Sequence, residues 1–293
     1  MKPSNSLTKK AHVIGIIFSL FLMNTGFAQI FTCGDTLTDP RDGKKYPTVL
    51  IGTDCWFKKN LMYGTYTQSD SQAVIHSQQT NNSIAEYYVQ MNDNSNLDYY
   101  GGLYEQDELM NYSTTSTQGL CPAGWHVSTD LEWQGMLNVA GAALLTSTAG
   151  VGGNTLKEVG IGVATGIGTD NVGFSARLGG DRDGWGIFTG KDHRGIFWTS
   201  TRTSGGNQAY HYTLWLESDT IERLALGIHT TGLSCRCVKD TGVFNPSGIN
   251  SQGYNNNRVQ IFPNPASDQL FVQSSDGIIP ASIFIADASG RMI

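Results

Sequence analysis

Cys121-Pro-Ala-Gly-Trp-His-Val-Ser-Thr-Asp-Leu-Glu-Trp133 places a cysteine, a tight turn, a short strand and a helix start in one continuous run. Pro-Ala-Gly after Cys121 reads as the turn. Trp125-His-Val127 reads as a strand, with Trp125 in the core and His126 on the opposite side from its neighbours. Thr129 and Glu132 fit a capping box, and Asp130 and Glu132 suit the positive end of a helix. Trp133, Leu137 and Ala140 follow at i, i+4 and i+7 with Met136 beside them, which predicts a helix fading near Gly141. A stripe of that kind is core. A catalytic His126 would need a nucleophile, and none is identifiable, so the residue reads as structural or surface.

Working outward, Asp42-Gly43 is a hairpin signal between residues 35 and 52, with Pro47 marking an edge strand. Pairing about that turn leaves Cys33 three positions short of Cys55, so a clasp between them requires a bulge or an irregularity at Pro47. Residues 66–98 are rich in Asn, Gln and Ser and read as loop, with a short helical turn over Ile84–Val89. Tyr99–Tyr104 reads as a strand and Glu105–Tyr112 as a helix. Residues 150–190 are dominated by glycine and turns. Four strands are expected next, over Gly195–Thr199, Ala209–Leu216, Ile221–Ala225 and Gly232–Val238. Residues 241–257 form a Gly/Ser/Asn linker, followed by strands near Val259–Phe262, Leu270–Val272 and Ile283–Ile285. The turn signal Ser289-Gly290 is followed only by three residues, so this last unit reads as a truncated β-sandwich.

Residues 1–28 read as a secretory signal: Lys2, Lys9 and Lys10, an apolar run over Val13–Met23, then Gly26-Phe27-Ala28 at the cleavage positions. The run is shorter than the roughly 18 apolar residues of a spanning helix. The whole chain carries a net charge of −6. Without the three lysines of the leader the charge is −9, which argues against nucleic acid and anionic membrane surfaces as partners. Export makes disulfides the default for Cys33, Cys55, Cys121, Cys235 and Cys237, with one thiol left over. No Cys-x-x-Cys pair supports zinc, and no metal or other cofactor is expected.

Candidate chemistry is sparse. Glycines 160, 162, 166 and 168 fit neither the dinucleotide nor the P-loop pattern. Asp181-Arg-Asp183-Gly184 resembles a fragment of a calcium loop but lacks the third acid and the distal glutamate. Trp185, His193 and Arg194 lie close by, and an aromatic beside acids on glycine-rich loops suits sugar: rings stack on C–H faces and carboxylates accept from hydroxyls. Asp181, Asp183, Trp185, His193 and Arg194 are therefore the candidate ligand-binding set. No Ser-His-Asp order or His-Glu-x-x-His run stands out, and no catalytic residue is assigned.

Several segments together resemble the Fibrobacter succinogenes major paralogous domain family. They are Asp42–Tyr46, Ile51–Leu61, Tyr100–Met110, Gly119–Trp133, Phe197–Thr201 and Ser234–Asp240. The resemblance places that domain over residues 29–240, in a family spread among Bacteroidetes-like bacteria. It implies an α+β fold of the C-type-lectin-like kind: an N-terminal hairpin, two helices, long glycine-rich loops and a terminal antiparallel sheet. It also implies a Cys121–Cys237 disulfide, with Cys235 as the odd thiol. The triplets of calcium-dependent sugar lectins are absent. Phe262–Ser267 and Asp287–Arg291 resemble the type IX (Por) secretion sorting domain, here residues 258–293. That resemblance implies the type IX machinery as a partner and a secreted or cell-surface location. The expected function is a secreted or surface binding and adhesion module contacting polysaccharide through residues 170–195. The alternatives are an enzyme of the formylglycine-generating fold class and a purely structural surface protein.

Overall fold

The computed structural model describes residues 31–71, 79–227, 230–240, 259–262 and 271–274. The leader, the linker and the expected strand at Ile283–Ile285 lie outside the described residues. The chain divides into two units, Met1–Thr241 and Gly242–Ile293.

Along the first unit come β1 (Thr36–Thr38), β2 (Lys45–Ile51), β3 (Asp54–Phe57), β4 (Thr65–Tyr66) and β5 (Glu86–Tyr87). Single helical turns α1 (Leu97–Tyr100) and α2 (Gln106–Leu109) follow. The Cys121–Trp133 segment then supplies β6 (Trp125–Val127) and the start of α3 (Asp130–Ala140). Short strands β7 (Ala143–Leu144), β8 (Ala149–Val151), β9 (Asp181–Arg182) and β10 (Phe188–Thr189) precede the long β11 (Arg194–Arg202), β12 (Gln208–Trp215) and β13 (Thr220–Gly227). The last described strand of the unit is β14 (Cys237–Lys239). In the second unit β15 (Val259–Phe262) pairs antiparallel with β16 (Phe271–Ser274).

The first unit is α+β, with two five-stranded antiparallel sheets in the orders β1-β2-β3-β14-β6 and β11-β12-β13-β8-β7. Strand alternation makes the first sheet a partition between two cores. Cys55 and Phe57 of β3 face one apolar cluster together with Trp125, Val127 and Cys237. Trp56 faces the other, with Val238, Trp133, Phe174 and Tyr212. Strand β11 divides in the same way: Ile196 and Trp198 join the first cluster, Phe197 the second.

Helix α3 begins as its capping signal predicts: Thr129 Oγ1 accepts from Glu132 N, while Thr129 N donates to Glu132 Oε2. It ends at Gly141, whose φ of 74° suits a left-handed cap. Trp133, Met136, Leu137 and Ala140 are all buried. Trp133 stacks on Tyr212 at 4.6 Å and donates from Nε1 to Ser128 Oγ. Burying a Leu or Met of this stripe contributes roughly 1.5–3 kcal/mol.

Four local expectations are corrected. Strands β1 and β2 pair as Leu37 with Tyr46, two positions away from the register of a tight Asp42-Gly43 turn. Asp39 is buried and its carboxylate is clamped by Arg41, which keeps the loop open to residue 44. Strand β2 is interior, and Pro47 is tolerated because it lies at the end of the β1 ladder and outside the β3 ladder. Ile84–Val89 contains strand β5 at Glu86–Tyr87 rather than a helical turn, because those two residues pair parallel to β4 and Tyr87, Tyr88 and Val89 are all buried. Tyr99–Tyr104 is not a strand. Asp93 accepts from Ser95 N and starts a helical run that ends as α1, and Leu103 and Tyr104 make only isolated bridges, to Tyr88 and Leu233.

Candidate functional site

The loops around β9 and β10 hold the residues singled out for ligand binding. Asp181 is buried, and its Oδ1 accepts from Arg194 Nε and Nη2 at 3.1 and 2.8 Å and from Thr189 Oγ1 at 3.1 Å. These two candidates therefore meet each other as a partly buried ion pair at the β9–β10 ladder. Asp183 Oδ1 accepts from the backbone N–H of Trp185 and of Ile187, both at 2.9 Å, so it shapes the turn between the strands. Trp185 stands on that turn 67% exposed, with Ile187 at 50%. The turn is braced from below: Ser69 Oγ donates to Gly186 O at 2.7 Å and Arg182 Nε donates to Ser69 Oγ at 2.8 Å. His193 is exposed on the next turn. The structure thus gathers Asp181 with Arg194, presents Trp185 to solvent, and leaves His193 apart.

Cys33 is joined to Cys55 and Cys121 to Cys237. The first pair is reached without a bulge: β2 turns at Gly52-Thr53 into β3, which sets Cys55 opposite Leu50 and returns it toward Cys33. Cys235 is buried, and burial pushes its thiol well above the usual range. Among the described residues, Cys121, Cys235 and Cys237 form a group of potential metal-ligating atoms within 4.8 Å of one another, but two of the three sulfurs are spent in the disulfide.

The glycine run at 160–168 meets a cation through the Gly166 carbonyl. Lys157 is buried, and its Nζ donates to the carbonyls of Gly166, Trp215 (2.6 Å) and Ser218 (3.1 Å). Burial lowers its pKa to about 8. Carbonyls converging on an ammonium are the opposite of the N–H cradle that a phosphate needs.

His126 sits between two carboxylates, its Nε2 2.8 Å from Glu132 Oε1 and its Nδ1 2.6 Å from Asp240 Oδ1. Burial alone would lower its pKa, but the hydrogen bonds and negative charges of both acids outweigh that and raise it. No nucleophile is paired with it among the described residues, and it serves as a tie between the helix cap and Asp240.

A cleft of about 230 Å³ opens where the chain after β3 meets the start of the 170–195 loops. Lys58, Lys59 and Asn60 form one wall, Ser175 and Arg177 another, with Tyr99 and Arg236 completing it. Arg177 pairs with Glu158 at 2.8 and 3.1 Å and lies 3.8 Å over the Tyr99 ring. Lys59 pairs with the exposed Asp98 at 2.7 Å. Arg236 is buried and donates to Asn60 Oδ1 at 2.5 Å and to the carbonyls of Phe57, Phe174 and Ser175 at 2.7–3.1 Å. All four acceptors are neutral. Burial, then the charge of Arg177, lowers its pKa to about 9. Sequence reasoning passed over Lys58, Lys59, Tyr99, Arg177 and Arg236, whose positions span nearly the whole domain; the one available signal was an arginine between two core cysteines.

The family model of the Fibrobacter succinogenes major domain matches residues 49–239, the stretch that contains both sheets' central strands, the Cys121–Cys237 pair and every lining residue of the cleft except Pro47. This chain belongs to the Fibrobacter succinogenes major domain family. The match begins inside β2, so the Cys33 half of the first disulfide lies ahead of the matched stretch. No curated protein and no solved structure matches the chain. Among the described residues, no helix is long and apolar enough to cross a membrane.

Proposed function

We propose that this Fibrobacter succinogenes major domain protein is an exported or surface-attached binding module that engages polysaccharide through residues 170–195. One observation carries the reading: Trp185 presents its indole to solvent on a turn fixed by Asp183 and Ser69, an aromatic surface organised before any ligand arrives. Ring faces of this kind stack on the C–H faces of sugars, and a rigid platform loses little entropy in doing so. The leader at 1–28 and the sorting-domain motifs Phe262–Ser267 and Asp287–Arg291 support delivery by the type IX machinery to the outer surface. The α+β arrangement with its long glycine loops supports kinship with C-type-lectin-like folds. Binding would be calcium-independent, because Asp181 and Asp183 are engaged by Arg194 and by backbone N–H groups. A glycan array probed with the full chain and with Trp185→Ala tests the reading. Binding to one or more polysaccharides, reduced at least ten-fold in the variant, is expected; no binding to any glycan, or equal binding by both proteins, overturns it.

A further inference from the structure

We propose that the cleft lined by Lys58, Lys59, Asn60, Arg177 and Arg236 is an oxyanion site that selects acidic saccharides, through a carboxylate or sulfate carried on the sugar. Only the saccharide carrier rests on the preceding section; the preference for an oxyanion stands on the cleft itself. Four of its lining side chains are cationic and one, Glu158, is acidic. Glu158 is spent on Arg177 and Asp98 on Lys59. Among the described residues, Lys58 and Arg236 have no carboxylate at ion-pair distance. The acid nearest in sequence to the Ser175 wall, Asp170, is already occupied, accepting from Ser175 N at 2.8 Å and Ser175 Oγ at 2.6 Å.

Arg236 is the decisive member. A guanidinium offers five N–H donors, and its contacts account for four, every one to a neutral oxygen. A buried charge of this kind is costly unless an opposite charge approaches it. Asp170 and Glu158 act on it only from a distance, and an oxyanion entering the cleft beside it would supply a counter-charge at close range. Around it, the chain after β3 supplies ammonium groups as mobile point charges, and Arg177 supplies a planar fork already held in place by Glu158 and Tyr99. The volume of about 230 Å³ lies below that of drug-sized pockets, which suits one acidic sugar residue rather than a longer segment.

The test titrates the full chain with an oligogalacturonate and with a neutral galacto-oligosaccharide of equal length. An oligoglutamate peptide forms the third arm. The expected result is at least ten-fold tighter binding of the oligogalacturonate than of either other probe, weakening as salt rises. Lys58→Glu should reduce that binding at least ten-fold while leaving the melting temperature unchanged. Arg236→Gln serves as a second variant only where its melting curve shows a folded protein. Equal affinity for charged and neutral saccharides, equal affinity for the peptide, no binding of the oligogalacturonate, or an unaffected Lys58→Glu variant overturns the proposal. Trp185→Ala separates the two readings. Binding lost in Lys58→Glu but kept in Trp185→Ala leaves the cleft standing and removes the loop platform. Neutral-glycan binding lost only in Trp185→Ala does the reverse.

Discussion

Residues 121–133 and residues 170–195 are both rich in aromatic and polar side chains, yet they spend them oppositely. In the first segment Cys121, Trp125, Val127 and Trp133 are buried, and Thr129, Glu132 and His126 are hydrogen-bonded to one another or to Asp240. In the second, Asp181 and Arg194 satisfy each other, but Trp185 is turned to solvent, and Ser175 and Arg177 line a cleft with a positive excess. The lesson is that a dense motif marks where the fold is fastened. The surface offered to a partner lies where side chains stay exposed or line a cleft.

The largest expected effect would break the fastened region. The Cys121–Cys237 bond spans a sequence separation of 116 residues, against 22 for Cys33–Cys55. A Cys121→Ala/Cys237→Ala double variant should lose about 4–5 kcal/mol in denaturant unfolding, and Cys33→Ala/Cys55→Ala about 3 kcal/mol. Removing both partners matters, because a lone Cys121 or Cys237 would leave a second thiol beside Cys235. Equal losses for the two pairs would show that loop closure is not what the longer bond contributes.

Next comes the ion pair at the start of α3. Arg223 donates to both oxygens of Asp130 at 2.6 and 2.8 Å, and Tyr212 adds a third bond. Arg223→Ala should cost roughly 2–3 kcal/mol, below the value for a fully buried pair because both side chains keep some exposure. Burial pushes Asp130 up, but the bonds from Arg223 and Tyr212 and the Arg223 charge outweigh it and hold its pKa below the usual value. Its contribution is therefore complete above the ordinary Asp value and drains as pH falls through the folded one. Acid unfolding of the variant should show a shallower pH dependence than the wild type.

The cap is smaller. Thr129→Ala should cost about 1 kcal/mol in the same assay. His126 acts in the opposite pH sense to Asp130. Its raised pKa means that its stabilisation is complete below about 6.5 and is lost as pH rises through the folded value. His126→Gln should therefore destabilise the protein more at pH 6 than at pH 9, and a pH-independent loss would mean that the imidazolium ties to Glu132 and Asp240 contribute nothing. The smallest stability effect belongs to the exposed platform: Trp185→Ala should change unfolding by less than about 0.5 kcal/mol while weakening glycan binding. A substantial loss of stability would place Trp185 with the fastened residues instead.

Much of the first segment was legible because its determinants are local. Thr129 and Glu132 lie one helical turn apart, and the stripe from Trp133 to Ala140 follows helical spacing. The 84–104 stretch was misread because its outcome is tertiary. Glu86 and Tyr87 become a strand only through pairing with Thr65 and Tyr66, and Glu86 N is met by Glu108 Oε1 from α2. The Cys33–Cys55 bond was reached for a different reason than expected, since Gly52-Thr53 carried no hairpin signal strong enough to reveal a second turn. The cleft was invisible for the same physical reason. Lys58, Tyr99, Arg177 and Arg236 meet only after β14 has paired with β3 and β6, which no spacing in the chain announces.

Hydrogen exchange of the full chain, with and without saturating oligogalacturonate, compares the two regions most directly. The account predicts slowed exchange at residues 58–60 and 173–187 and none at 121–133. Protection centred on 121–133, or none anywhere despite bound ligand, would contradict it.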